Sequence, residues 1–192
     1  MAITHGPRRV ALCLVFAALP ALSDAALVIN ALAVANDKQT YTITFDVFVA
    51  GNAARARAIL SDYRQWPAVS EAVTEARLIA RYPDGRQRVS VTLRACVLVI
   101  FCKNVHQVKD LEPFVQPDTY RTVMVAGEGD FKSGYETWQV STAAQNKTRL
   151  KYHAVLELGF RVPPVIGPWV LRRHLQTELV RTAQNVEMLL AR

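Results

Sequence analysis

The stretch "FRVPPVIGPWVLRRHL", Phe160 to Leu175, decides how this chain is read. It sets three prolines and a glycine between an apolar, strand-like run and the start of an amphipathic helix. Pro168 suits a first helical turn, where its missing N–H costs nothing. From Pro168 to Arg192 the spacing predicts one long helix. At 100° per residue, Leu171, Leu175, Leu179, Val186, Leu189 and Leu190 fall on a single apolar stripe. Arg172, Arg173, Gln176, Arg181, Gln184 and Glu187 lie away from it. Thr182 falls within the stripe and Glu178 at its edge.

Upstream, the period changes from 3.6 to 2. "ALVINALAV" and "YTITFDVFVA" are β-rich runs joined by "ANDKQT", which predicts a hairpin centred on Asn36 and Asp37. Tyr41, Ile43, Phe45, Val47 and Val49 share one face of the second run. "GNAARARAILSDY" reads as a short helix with Asn52 as N-cap. Trp66 before Pro67 is expected to leave helical geometry and end it. From residue 72 to 158 strand follows strand. "VTEARLIARY" turns at "PDG" into "RQRVSVTLRACVLV", "NVHQVKDLE" follows, and "TYRTVMVAGEG" passes through a "DFKSG" loop to "YETWQVS". "TRLKYHAVLELGF" closes the set, with Leu150, Tyr152, Ala154, Leu156 and Leu158 on one face. Consecutive strands with short turns predict a meandering antiparallel sheet. The order is hairpin, small helix, sheet, long helix.

Residues 1–25 read as a signal peptide. Arg8 and Arg9 give a basic start, "VALCLVFAALPAL" an apolar core, and Ser23 and Ala25 a small-residue cleavage site. An uncleaved anchor is the alternative, and general and twin-arginine export both stay open. Removing Arg8, Arg9 and Asp24 lowers the net charge from +7 to +6. The chain is therefore expected outside the cytoplasm, in a periplasm or a similar exported location, with residues 26–192 as its domain. Of three cysteines, Cys13 leaves with the leader. Cys96 and Cys102 lie six apart across an expected reversal near Val99, a spacing that a disulfide can bridge in an oxidising compartment. Two buried free thiols are the alternative. Two thiols without further close ligands do not make a metal site.

The segments "SDYRQWP", "GEGDFKSGYETWQV" and "FRVPPVIGPWVLRRHLQTELVRTAQNVEMLL" resemble the START-like superfamily, in its polyketide-cyclase and coenzyme-Q-binding branch, here in an exported form. The likeness runs over about residues 40–190. It implies an α+β helix-grip fold: a strongly curved antiparallel sheet wrapped around a long C-terminal helix, with an apolar cavity between them. On that fold "VPPVIGP" restrains several φ angles in succession. We read Pro163, Pro164 and Gly167 as one lip of the cavity mouth, with Tyr63, Trp66 and Pro67 on the opposing rim. The plainer reading is that these prolines only end a strand and start a helix. Trp138, Tyr152, Leu156, Phe160, Ile166 and Trp169 become candidate walls, with Leu171, Leu175, Leu179 and Val186 from the helix. Glu178 and Thr182 are the helix positions able to offer a ligand a polar contact.

Enzyme signatures are absent: no nucleophile elbow, P-loop, dinucleotide fingerprint or helical zinc motif occurs. His106 and His153 sit singly in strands, and His174 falls on the basic side of the helix. No cofactor or metal is implied. The positive charge is spread along the chain rather than run into an arm, which argues against nucleic acid as partner. The expected function is non-catalytic binding of a hydrophobic small molecule or lipid such as a quinone, isoprenoid or fatty acid. Peripheral contact with an anionic membrane accompanies it, and oligomeric state stays open. The alternative is an aromatase or cyclase acting in the same cavity, for which only Tyr152, Glu178 and His106 are available as acid–base groups.

Overall fold

The computed structural model describes residues 27–97, 101–116, 118–162 and 167–192. The expected leader, the reversal near Val99, and Pro163, Pro164 and Ile166 lie outside them. Eight strands make one sheet: β1 (Val28–Asp37), β2 (Thr40–Ala50), β3 (Val73–Arg81), β4 (Gln87–Val97), β5 (Phe101–Gln116), β6 (Thr119–Gly129), β7 (Phe131–Ala143) and β8 (Lys147–Leu158). Helices α1 (Ala53–Ser61) and α2 (Trp66–Val69) lie between β2 and β3, and α3 (Gly167–Ala191) closes the chain. The strand order is β1-β2-β8-β7-β6-β5-β4-β3, antiparallel throughout. Helices α1 and α2 thus carry the chain from one end of the sheet to the other, and the meander returns to β2. The fold is the curved sheet with gripped helix implied by the resemblance.

Side-chain alternation produces this. Tyr41, Ile43, Phe45, Val47 and Val49 of β2 are all buried, and so are Leu150, Tyr152, Ala154, Leu156 and Leu158 of β8. The two strands pair with Phe45 opposite Tyr152 and Val47 opposite Leu150. Their inner faces therefore merge into one apolar surface. Helix α3 lies on it through Leu179, Ala183, Val186 and Leu190. Glu187 anchors the helix where its carboxylate accepts from the Ala50 N–H at 2.7 Å.

Local expectations were corrected at three places. The β1–β2 turn is Lys38–Gln39, two residues beyond the predicted centre. Lys38 takes the left-handed conformation (φ 51°), while Asn36 and Asp37 stay paired with Tyr41 and Thr40. Trp66 is helical (φ −58°, ψ −35°) despite the proline after it. The break comes earlier, at the extended Asp62, whose side chain caps the following 3₁₀ turn, Tyr63–Gln65. Pro67 then falls in the first turn of α2, where a proline removes no helical hydrogen bond. Finally, "DFKSG" is strand rather than loop from Phe131 onward, because Phe131, Ser133 and Gly134 pair with Leu158, Glu157 and Leu156. Gly134 allows this at φ 153°, where a Cβ would sit 2.6 Å from the Val155 carbonyl oxygen.

Candidate functional site

The α3 stripe is in contact with the sheet along only part of its length. Towards its N-terminal end the helix stands off, and a cavity of about 720 Å³ lies between it, α2 and the sheet. That is within the range of small-molecule sites, roughly 300–1,000 Å³. Its walls are mostly apolar. Leu171, Leu175 and Leu179 line it from α3, Ile43 from β2, Val91 and Leu93 from β4, and Trp138, Tyr152 and Leu156 from β7 and β8. Trp138 and Tyr152 pack with ring centroids 4.7 Å apart.

The candidate residues divide by position. Trp138, Tyr152, Leu156, Phe160, Leu171, Leu175, Glu178, Leu179 and Thr182 all border the cavity. Val186 is fully buried beyond its closed end. Trp169 is placed elsewhere: it is 65 % exposed and borders a shallow outer groove with Arg172 and Arg173. Two residues before Leu171, it lies about 200° round the helix from the stripe. Of the expected rim, Trp66 is a wall. Its ring is buried against the cavity and its indole N–H donates to the Leu60 carbonyl at 2.9 Å. Tyr63 packs beside that cluster without bordering the cavity, and Pro67 is exposed. Gly167 opens α3. His174, from the basic side of the helix, is half-buried and borders the cavity, whereas His106 and His153 are exposed.

A disulfide joins Cys96 to Cys102 across the β4–β5 pair, with Cα atoms 4.0 Å apart. Cys102 borders the cavity, next to exposed Lys103. Lys103 stands 3.8 Å above the Phe160 ring and 3.7 Å from Asp130. Arg94 and Arg161 are also exposed where they border the cavity. The solvent side of the site is therefore cationic.

The opposite wall holds a polar group that sequence reading missed. Lys109 of β5, its side chain 7 % exposed, donates to Glu136 Oε2 of β7 at 2.6 Å. Thr122 Oγ1 donates to the same oxygen at 2.9 Å, and the Tyr152 hydroxyl donates to Oε1 at 3.2 Å. The Lys109 ammonium also sits 4.8 Å from the Trp66 ring centroid. Burial pushes the Glu136 carboxyl up. The Lys109 charge and the three hydrogen bonds outweigh that and hold it below the usual carboxylate range. Burial, and then the Glu136 charge, push the Tyr120 and Tyr152 hydroxyls well up, so both stay protonated. On the helix side Glu178 Oε2 is buried with no hydrogen-bond partner among the described residues. Strand parity was the available signal. Glu136 is two residues from Trp138, and Gln107 and Lys109 alternate between Val105 and Leu111, so all face inward.

No family model matches the chain, and no curated protein matches it in sequence. Solved structures do match in fold. A START-superfamily protein from Mycobacterium smegmatis is 18% identical, with a TM-score of 0.62 over 78% of this chain and 97% of that one. A conserved protein from Geobacillus kaustophilus is 13% identical, with a TM-score of 0.62 over 78% of this chain and 95% of its own. An aromatase/cyclase from a Streptomyces species is 14% identical, with a TM-score of 0.56 over 77% and 94%. At these identities the likeness is one of fold. The chain therefore has the helix-grip fold, with a START-superfamily protein and an aromatase/cyclase among the structures that share it.

Proposed function

We propose that this chain is an exported, non-catalytic carrier of a hydrophobic small molecule, a lipid or a quinone-like compound, with residues 26–192 as the working domain. The cavity carries this reading: about 720 Å³ enclosed by leucine, valine and aromatic side chains between sheet and α3. Burial of apolar ligand surface would supply about 25 cal/mol per Å², from which binding costs are subtracted. The exposed Arg94, Lys103 and Arg161 around the opening support exchange of ligand at an anionic lipid surface. The Cys96–Cys102 disulfide suits an oxidising compartment. Among the described residues no helix is long and apolar enough to cross a membrane. The test is solvent extraction of protein purified from its own host, followed by mass spectrometry and by titration with fluorescent fatty acids and quinones. Bound or titratable amphiphile is the expected result. Protein that is empty and takes up none of them refutes the carrier reading.

A cyclase is the second reading. The observation favouring it is that Tyr152 does have a partner, Glu136, on the cavity wall. Against it, the Tyr152 proton is already donated to that carboxylate and its hydroxyl is pushed away from ionisation. Turnover of an aromatic-ring-forming polyketide chain by the purified protein, absent in a Tyr152→Phe variant, would favour it over the carrier.

A further inference from the structure

We infer that Lys109 and Gln107 form a polar subsite, deep in the cavity, that binds an uncharged carbonyl oxygen on the apolar ligand. The inference rests on the carrier reading and names the ligand class that this cavity selects.

The hydrogen-bond balance of the wall leads to it. Glu136 accepts from Lys109 and Thr122 on one oxygen and from Tyr152 on the other. The hydroxyl protons of Thr122 and Tyr152 are thereby used. Lys109 is different. Its ammonium carries three N–H groups, and among the described residues Glu136 is its only hydrogen-bonding acceptor, with the Trp66 ring face as second neighbour. A side chain 7 % exposed has little water with which to satisfy the remainder. Gln107 is 3 % exposed, its backbone lies in the β5 ladder, and its side-chain amide has no hydrogen bond to a described residue. It precedes Lys109 by two positions on β5, so both side chains leave the same face, roughly 6.6 Å apart at their base. Both border the cavity. The unspent hydrogens at this spot belong to two donors that a single carbonyl oxygen, with two lone pairs, can accept together.

Charge decides between carbonyl and carboxylate. Lys109 and Glu136 cancel, so the subsite is neutral overall. A carboxylate placed there would face Glu136 in a poorly screened setting. Glu178 also borders the cavity, but Arg181 lies 3.4 Å from its Oε1, so the repulsion comes chiefly from Glu136. An uncharged oxygen gains the donors without that repulsion. The ligand therefore has its carbonyl at the β5–β7 wall and its hydrocarbon along Leu171, Leu175 and Leu179.

The experiment compares a long-chain methyl ketone, the alkane and the carboxylate of equal chain length. Affinities are read by displacement of an environment-sensitive dye, and the bound ketone's C=O stretch by infrared spectroscopy. The ketone should bind about tenfold tighter than the alkane and the carboxylate, the size expected for one hydrogen bond to a charged donor. Its C=O stretch should fall below the value in hydrocarbon solvent. Lys109→Met leaves Glu136 buried and uncompensated, so Lys109→Met/Glu136→Gln is the working variant, with Gln107→Leu as one that keeps the ion pair. Each should bring the ketone's affinity towards the alkane's and raise the stretch. An unshifted stretch in the wild-type protein, tightest binding of the carboxylate, or a ketone preference surviving in both variants would overturn the subsite alone. A protein that binds none of the three compounds removes the carrier reading and the subsite together.

Discussion

The two ends of α3 meet the same sheet in opposite ways. Around Ala183, Val186 and Leu190 the helix stripe joins Phe45, Val47 and Leu150 in one core cluster, and these side chains are almost wholly buried. Around Leu171 and Leu175 the same stripe is half-buried and faces a space of about 720 Å³. Along the helix the apolar positions Leu171, Leu175, Leu179, Ala183, Val186 and Leu190 keep a spacing of three or four residues, so the stripe itself runs unbroken through both ends. The difference comes from what stands opposite. At the closed end β2 and β8 present the packed apolar side chains Phe45, Val47 and Leu150, whereas at the open end Ile43, Tyr152 and Leu156 of the same strands border the space together with Trp138, Gln107, Lys109 and Glu136 from β5 and β7. One end stabilises the fold and the other is free to hold a guest. Tight packing at the closed end allows the open end to stay unfilled, since a protein of marginal stability must bury its apolar area somewhere.

This contrast can be broken by substitution, and the closed end should respond most. Phe45→Ala removes a fully buried ring and should cost about 3–5 kcal/mol in urea unfolding. A loss below about 1 kcal/mol would mean that this end is loosely packed too. Next comes the disulfide at the open end. Replacing Cys96 and Cys102 by serine releases a loop with a sequence separation of 6. It should lower stability by about 2 kcal/mol, as should reductant on the wild-type protein. Leu175→Ala should cost less than about 1 kcal/mol, because the leucine already borders empty space and leaves little new cavity. Its larger effect should be faster ligand release, read by stopped-flow displacement of a bound dye. If Leu175→Ala destabilises as much as Phe45→Ala, the two ends do not differ.

Acid should sharpen the comparison with the smallest effect. The Glu136 carboxyl is held below its unfolded value chiefly by Lys109 against the opposing push of burial. It therefore contributes stability that is present above the ordinary carboxylate range and is lost as pH falls through the folded value. Asp46 on the outer face behaves likewise, held down by its hydrogen bonds with Arg149 at 2.9 and 2.6 Å. Melting temperature should therefore hold from neutral pH to about pH 5 and decline below it, as pH falls through and under the ordinary carboxylate range. A Glu136→Gln variant should show a shallower decline and an Asp46→Asn variant should remove a separate part. An unchanged slope in both would show that other carboxylates govern acid unfolding.

What could be read from the chain alone was whatever depends on local period. The alternation of Tyr41 to Val49 and of Leu150 to Leu158 named the inner face of β2 and β8 correctly. The Leu171-to-Leu190 stripe named the gripping face of α3, and the resemblance supplied the architecture. Boundaries were less legible: the behaviour of Trp66 depended on its indole reaching the Leu60 carbonyl, a contact that overrides the bias of a residue before proline. The polar wall was not legible as a site. Lys109 and Glu136 are far apart in the chain, and on separate strands each reads as an ordinary charged residue. Only the register that sets β5 and β7 on either side of β6 brings them within 2.6 Å. Sequence determines which face of an element is apolar, because that is a property of neighbouring residues. Whether facing surfaces close or stand apart depends on sheet curvature summed over eight strands, and that only the tertiary structure decides.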